Sequence, residues 1–290
     1  MVGQYEGITS QAGMSQFLAD FQGRDASWGV SGVAYLFFVG TMALTTWVLS
    51  GGIRLGIERA ASWGMPVIIG LPVLLAIRVL TIDAPESSHL ENHVWNGMGC
   101  LWNPDFSRLT DARVWLAAAG QIFFTVSIGF GVIQVYASYM KRDDDVVVTG
   151  LSTMMVNEWG EVILGSTIAI PIAYAFFGPQ GTVEIAHGGA FNLGFATMPV
   201  VLQQLPWGAV FGSAWFFLLF IAGPLAQLRL MQPLITFLED ELQWSHRKSV
   251  LVTSTLVFVG AHMPILASRA APWMRSIFGP APSGLRCSPS

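Results

Sequence analysis

Phe124-Thr125-Val126-Ser127-Ile128-Gly129-Phe130-Gly131 sits near the middle of a run, Val114 to Met140, that is free of charge for long enough to cross a bilayer. Hydroxyls and glycines at that depth suit a helix that unwinds. Lipid offers freed carbonyls and amides no hydrogen-bond partner, so such a break is stable only where a cavity or a ligand satisfies them. The same residues also fit an unbroken helix whose glycines serve close packing. The first reading predicts an interruption near 127–131 with a binding site beside it.

The rest of the chain supports a membrane setting. Hydrophobic residues make up 53% of it and charged residues 11%, too apolar a balance for an ordinary water-soluble domain. A net charge of −4 without a basic cluster argues against nucleic acid as a partner. Cys100 and Cys287 lie far apart and lack metal-type spacing, which supports neither a disulfide framework nor a zinc site. The first thirty residues, with Glu6, Asp20, Arg24 and Asp25, show no cleavable signal peptide.

Uncharged runs mark six candidate spans, about Trp28 to Leu49, Gly64 to Ile77, Val114 to Met140, Val162 to Phe177, Trp207 to Leu228 and Val250 to Ala267. The fold class is therefore an all-α polytopic membrane protein with about six transmembrane helices. Residues 1–29 read as an outer loop or irregular amino terminus, 30–267 as the membrane domain, and 268–290 as an irregular tail, disordered or out of frame. The second span is short and carries Pro66 and Pro72. Three connections hold Arg54, Arg59, Lys141, Arg142, Arg247 and Lys248, against Arg108 and Arg113 on the alternate side, which places the first set in the cytoplasm. The long outer connections, 83–113 and 178–206, call for structure of their own, with short helices around 186–202.

Glu161 is the most telling charge. If the fourth span starts upstream of Val162, Asn157 and Glu161 share one helix face inside the membrane, where an acid is expensive and usually functional. If it starts at Val162, Glu161 sits among headgroups. Thr125 and Ser127 offer the hard oxygens that sodium prefers, and Phe124 and Phe130 offer apolar walls for a small organic ligand. His89 and His93 around Glu91 are four apart but lack further ligands. Phosphate loops and nucleophile elbows are missing, and no nucleophile or metal cluster accompanies Glu161, so an enzyme is not expected.

Four ordered stretches carry a resemblance: Gln121 to Gly131, Asn157-Glu158-Trp159-Gly160-Glu161-Val162-Ile163-Leu164-Gly165, Gly189-Ala190-Phe191-Asn192-Leu193-Gly194-Phe195, and Met231-Gln232-Pro233 followed by Phe237 to Leu242. Together they resemble the neurotransmitter:sodium symporter family, and within it the bacterial leucine transporter branch. The resemblance runs from about Val30 to Ala267 and implies a partial chain that holds the fourth to ninth of twelve helices. Such a chain is expected to carry about half of the site and to be incompetent for transport by itself.

Position by position, the resemblance implies that Phe124, Thr125, Ser127, Phe130 and Leu230 line a substrate pocket. It implies sodium ligation at Thr125 and Asn157 and, doubtfully, at Ala222. Gln121 and Glu161 would form the anion site, with the Glu161 carboxylate as a fixed charge where chloride-dependent relatives have a serine. Tyr139, Gln232 and Asp240 would belong to a cytoplasmic gate. The implied activity is sodium-coupled symport of an amino acid or small amine at the cell membrane, with no cofactor beyond the coupling ion and no need for chloride. Lipid and the substrate are the expected partners, and an oligomer is compatible with this. The alternatives are a non-transporting binding or structural membrane module, and a half-transporter completed by a partner chain.

One departure stands out. Pro224, Leu225 and Ala226 occupy the place of a family leucine followed by two sodium-binding hydroxyl residues, which leaves only the Ala222 carbonyl. Arg229 follows where a small apolar residue is expected, at a cost of about 2.5 kcal/mol or more unless it snorkels or is paired. Divergence and a compensated frame shift both account for the stretch.

Overall fold

The structure is a computed structural model that describes residues 7–8, 10–21, 31–82, 92–103 and 106–270. Its regular elements among these residues are helical. The described amino-terminal segment is not irregular, as the sequence suggested. Gln11–Phe21 forms helix α1, whose Met14 is 2% exposed and packs with Ala196 and Val200. The cause is local: Met14, Phe17, Leu18 and Phe21 recur at helical spacing and give one apolar face.

Helix α2, Gly32–Ser50, is the first span, followed by a π turn, Ile53–Ile57, that leads into α3, Glu58–Leu80. The second span is therefore longer than its uncharged run. Pro66 and Pro72 sit inside α3 without ending it, and the helix takes in Arg59 and Arg78 near its ends, where long cationic side chains reach toward water. Next come α4, Val94–Trp102, and a 3-10 turn, Phe106–Thr110. The third span is split into α5, Ala112–Thr125, and α6, Val132–Ser138.

Helix α7, Val146–Glu158, continues through a π segment, Trp159–Gly165, into α8, Ser166–His187. Asp145 caps α7 by accepting from Val148 N at 3.0 Å, so the fourth span starts far upstream of Val162. Gly178, at φ 69° and ψ −176°, breaks α8 toward its outer end, a conformation that only glycine adopts without strain. The short helices expected in the outer connection are present as α9, Gly189–Asn192, a π turn, Leu193–Thr197, and α10, Met198–Gln204. The last two are α11, Gly208–Leu242, and α12, His246–Ala270.

Four helical segments among the described residues are long and apolar enough to span a membrane: 32–50, 53–80, 146–186 and 208–242. Of the other two expected spans, one is the split third. The other is α12, 25 residues long, whose side chains after Met263 lie outside the described residues. His89 and Glu91 also lie outside them, and His93 caps α4, its Nδ1 accepting from Trp95 N. Cys100 lies in α4, and Cys287 lies outside the described residues.

The main core joins α3, α4, α8, α10 and α11 through Leu75, Val79, Val94, Ile172, Met198 and Leu218. A second cluster ties α2, α11 and α12 through Leu49, Leu228, Ile235 and Val250. Helix α4 seats against α8 because Gly97 has no side chain: a Cβ there would lie 2.6 Å from the Pro171 Cα and 2.8 Å from the Tyr174 Cβ. Gly97→Ala is therefore expected to cost about 1–3 kcal/mol through overpacking. Gly99→Ala, two residues away with nothing within 4 Å, is expected to be neutral or slightly stabilising. Thermal unfolding of both variants in one detergent checks this; equal melting temperatures would contradict the packing.

Candidate functional site

The break in the third span is a left-handed crossing of the chain. Ser127 has φ 58°, Gly129 φ 89° and Gly131 φ 76°, so the helical ladder stops at Thr125 and resumes at Val132. The packing-helix alternative thus fails. Glycine makes two of these three turns inexpensive, while Ser127 is a non-glycine residue held where an L side chain is strained. A compact loop closes the gap, with Ile128 N donating to the Phe123 carbonyl at 2.9 Å and Ser127 N to the Phe124 carbonyl at 3.0 Å. Phe124 and Phe130 flank it with rings edge to face, 6.4 Å apart.

Facing the break is the π segment of the fourth span. Glu161 lies in it, roughly midway along the helical run 146–177 and so about 24 Å from either end. Gln121 Nε2 donates to Glu161 Oε1 at 2.5 Å, and the Thr125 hydroxyl donates to Oε2 of the same carboxylate. Asn157 Nδ2 in turn donates to Thr125 Oγ1 at 2.8 Å. The structure therefore gathers Gln121, Thr125, Asn157 and Glu161 into one hydrogen-bonded chain. Gln121 and Thr125 give the carboxyl two hydrogen-bond partners at a depth where an unpaired acid is costly.

Glu161 lies within a π segment at 159–165, and a second lies in the connection at 193–197. Each widens its helix by about one residue per turn and re-aims the side chains that follow. That register shift has no signature in hydrophobic spacing. Asn157, ahead of the first segment, and Glu161, inside it, are four residues apart and reach the same threonine.

Glu161 is exposed, as are Phe124 at 69% and Phe130 at 51%. The reason lies in packing: neither α5 nor α7 buries a residue, and polar contacts rather than a shared core hold them together. Leu230, expected in the pocket, is 55% exposed. The site presents one wall and an open side.

The remaining expectations divide. Gln232 is 2% exposed and donates to Thr236 Oγ1 at 3.3 Å, and the Tyr139 hydroxyl lies 3.4 Å from that same oxygen. Thr236 therefore joins the two, a role that sequence reading missed although 232, 236 and 240 share one helix face. Asp240 stands exposed on the next turn of α11. Ala222 and Pro224 to Ala226 lie inside the continuous helix α11, where the Ala222 carbonyl is part of the helical ladder. Proline at 224 removes an N–H that would serve Phe220, which frees the Phe220 carbonyl instead. Arg229 is exposed, within electrostatic reach of Tyr136, whose hydroxyl is buried without a hydrogen-bond partner among the described residues.

A broken helix opposite a mid-span carboxylate is the arrangement that the sequence resemblance anticipated, and comparison with known proteins identifies the family. The sodium:neurotransmitter symporter family matches residues 30–274. The chain belongs to that family. An uncharacterized sodium-dependent transporter of Methanocaldococcus jannaschii is 27% identical over 234 residues, covering 79% of this chain and 46% of the relative. A sodium-dependent transporter of Bacillus subtilis, YhdH, is 28% identical over 228 residues, covering 78% and 46%. The crystal structure of MhsT in complex with L-phenylalanine superposes with a TM-score of 0.71 at 24% identity, covering 89% of this chain and 54% of MhsT, which shows the shared fold. The chain spans about half the length of the curated relatives it matches. It is a multi-pass membrane protein, and the cell membrane is the typical location for this sodium:neurotransmitter symporter family.

Proposed function

We propose that this chain supplies one wall of the central site of a sodium-coupled symporter for an amino acid or related small amine. The observation that carries the reading is the chain of contacts from Asn157 through Thr125 to Glu161, set beside the unwound segment 126–131. Amide, hydroxyl and carboxylate oxygens are hard donors suited to sodium. Thr125 stands at the centre, in contact with the amide group on one side and the fixed charge on the other.

Each part has a physical task. The unwound segment offers backbone groups to a ligand, and Phe124 and Phe130 supply apolar surface for its side chain. Glu161 balances the positive charge of a bound ion without an anion from solution. Gln121 and Thr125 orient that carboxylate. Tyr139 and Gln232, joined through Thr236, tie α6 to α11 below the site and give the short helix a fixed partner. The resemblance to a fold solved with L-phenylalanine bound in MhsT supports an amino acid as the first ligand to test.

A chimera in which residues 30–274 replace the aligned part of MhsT tests the reading. Sodium-driven uptake of an amino acid, L-phenylalanine first, is the expected result in proteoliposomes. A folded chimera whose uptake is the same in sodium and potassium would contradict it.

A further inference from the structure

At the opposite end of α11 from its outer start, His246 sits between two hydrogen-bond acceptors. Its Nδ1 is 2.6 Å from Glu239 Oε1 on α11, and its Nε2 is 2.9 Å from the carbonyl oxygen of Leu49 on α2. The His246 side chain is about two-thirds covered and that of Glu239 about three-quarters, at 34% and 26% exposure. A carbonyl only accepts, and so does an ionised carboxylate. A neutral imidazole has one N–H and cannot donate to both.

We propose that His246 and Glu239 together hold two protons, and that this proton-dependent clasp fastens the cytoplasmic end of α2 to the α11–α12 hairpin. With both ring nitrogens protonated, the imidazolium donates to the carboxylate and to the Leu49 carbonyl at once. Leu49 lies in the last turn of α2, where orphan carbonyls carry the negative end of the helix dipole and favour a cation. Loss of one proton leaves a bare nitrogen facing an acceptor, and one of the two links opens. The clasp is therefore made at lower pH and released as pH rises through the titration of the pair.

The surroundings leave this pair as the titrating unit. From α11, Glu239 contacts the ring, while Asp240 and Glu241 are exposed. From α2 comes a carbonyl and no ionisable side chain, and Arg54, Glu58 and Arg59 beyond it are exposed. On α12, Arg247 and Lys248 are exposed, and the Lys248 ammonium lies over the Trp244 ring, 3.8 Å from its centroid. The consequence reaches the transport path, since α11 carries Gln232 and Thr236 on the turns that precede the clasp. The clasp stands on its own geometry and does not depend on the transport reading.

Hydrogen exchange of the backbone amides of 49–57 and 243–250 tests it on the full chain in lipid nanodiscs. Between about pH 5 and about pH 8, the range in which an imidazole changes charge, protection corrected for intrinsic exchange should fall roughly tenfold or more in the unaltered protein. His246→Arg keeps two donors at every pH and should remove that dependence, with protection held high. His246→Gln keeps one donor group and should stay at the low level throughout. Nitrogen-15 shifts of the ring provide a second reading: both nitrogens should carry protons at the lower pH. Protection that is independent of pH in the unaltered protein, or a ring with a single proton throughout, would overturn the proposal, as would an arginine variant that exchanges as fast as the glutamine one.

Discussion

Glu161→Ser, placed in the MhsT chimera, is expected to convert chloride-independent uptake into uptake that requires chloride. The carboxylate accepts from Gln121 and Thr125 and supplies one fixed negative charge beside the oxygens expected to hold sodium. Removing it leaves a cation without its counter-charge at mid-membrane depth, where a charge costs about 2.5–3.5 kcal/mol. That corresponds to a loss of roughly a hundredfold in affinity at low chloride, since about 1.4 kcal/mol is tenfold. Chloride held by the serine hydroxyl, Gln121 and Thr125 should restore much of it. Uptake measured with chloride replaced by gluconate checks the result. If Glu161→Ser transports equally well in both media, the fixed-charge role is wrong.

The second large effect concerns the 290 residues by themselves. They are expected to show no concentrative, sodium-driven uptake in proteoliposomes, because the site has a single wall. Phe124 at 69% and Phe130 at 51% exposure enclose nothing, and neither α5 nor α7 buries a residue. Coupling needs ion and substrate to be held together in a closed site whose two sides move against each other. Uptake of labelled amino acids against an imposed sodium gradient, compared with a potassium gradient of equal size, reads this directly. Strong sodium-driven accumulation would show that copies of this chain cover each other's open sites and complete a transporter as an oligomer.

Much of this was legible in the residues. The break at 126–131 was visible because glycine and hydroxyl residues are conspicuous in a lipid-spanning run, and two glycines do adopt positive φ there. The meeting of Glu161 with Gln121 and Thr125 followed from the expense of an unpaired acid in a membrane and from family resemblance together. Other features had no such signal. Helix α3 outran its uncharged segment because arginines at helix ends reach water, so charge does not mark the helix boundary. Helix α1 was hidden by its polar neighbours, since its four-residue apolar face is too short to stand out. The length of α11 was obscured by Arg229, which ended its uncharged run although the helix continues to Leu242. Thr236 escaped notice because a lone threonine usually bonds back to its own helix.

The central claim is that Asn157 and Thr125 bind the coupling ion beside the fixed charge of Glu161. Equilibrium binding of sodium-22 to the purified MhsT chimera tests it most directly, with the unaltered segment compared with Asn157→Ala. The account predicts saturable binding that excess potassium does not displace, and a loss of about tenfold or more in affinity when the amide is removed, in line with about 1.5–3 kcal/mol for a contact to a charged group. Sodium binding of the same strength in Asn157→Ala, in a variant that melts at the unaltered temperature, would place the ion elsewhere and contradict the account.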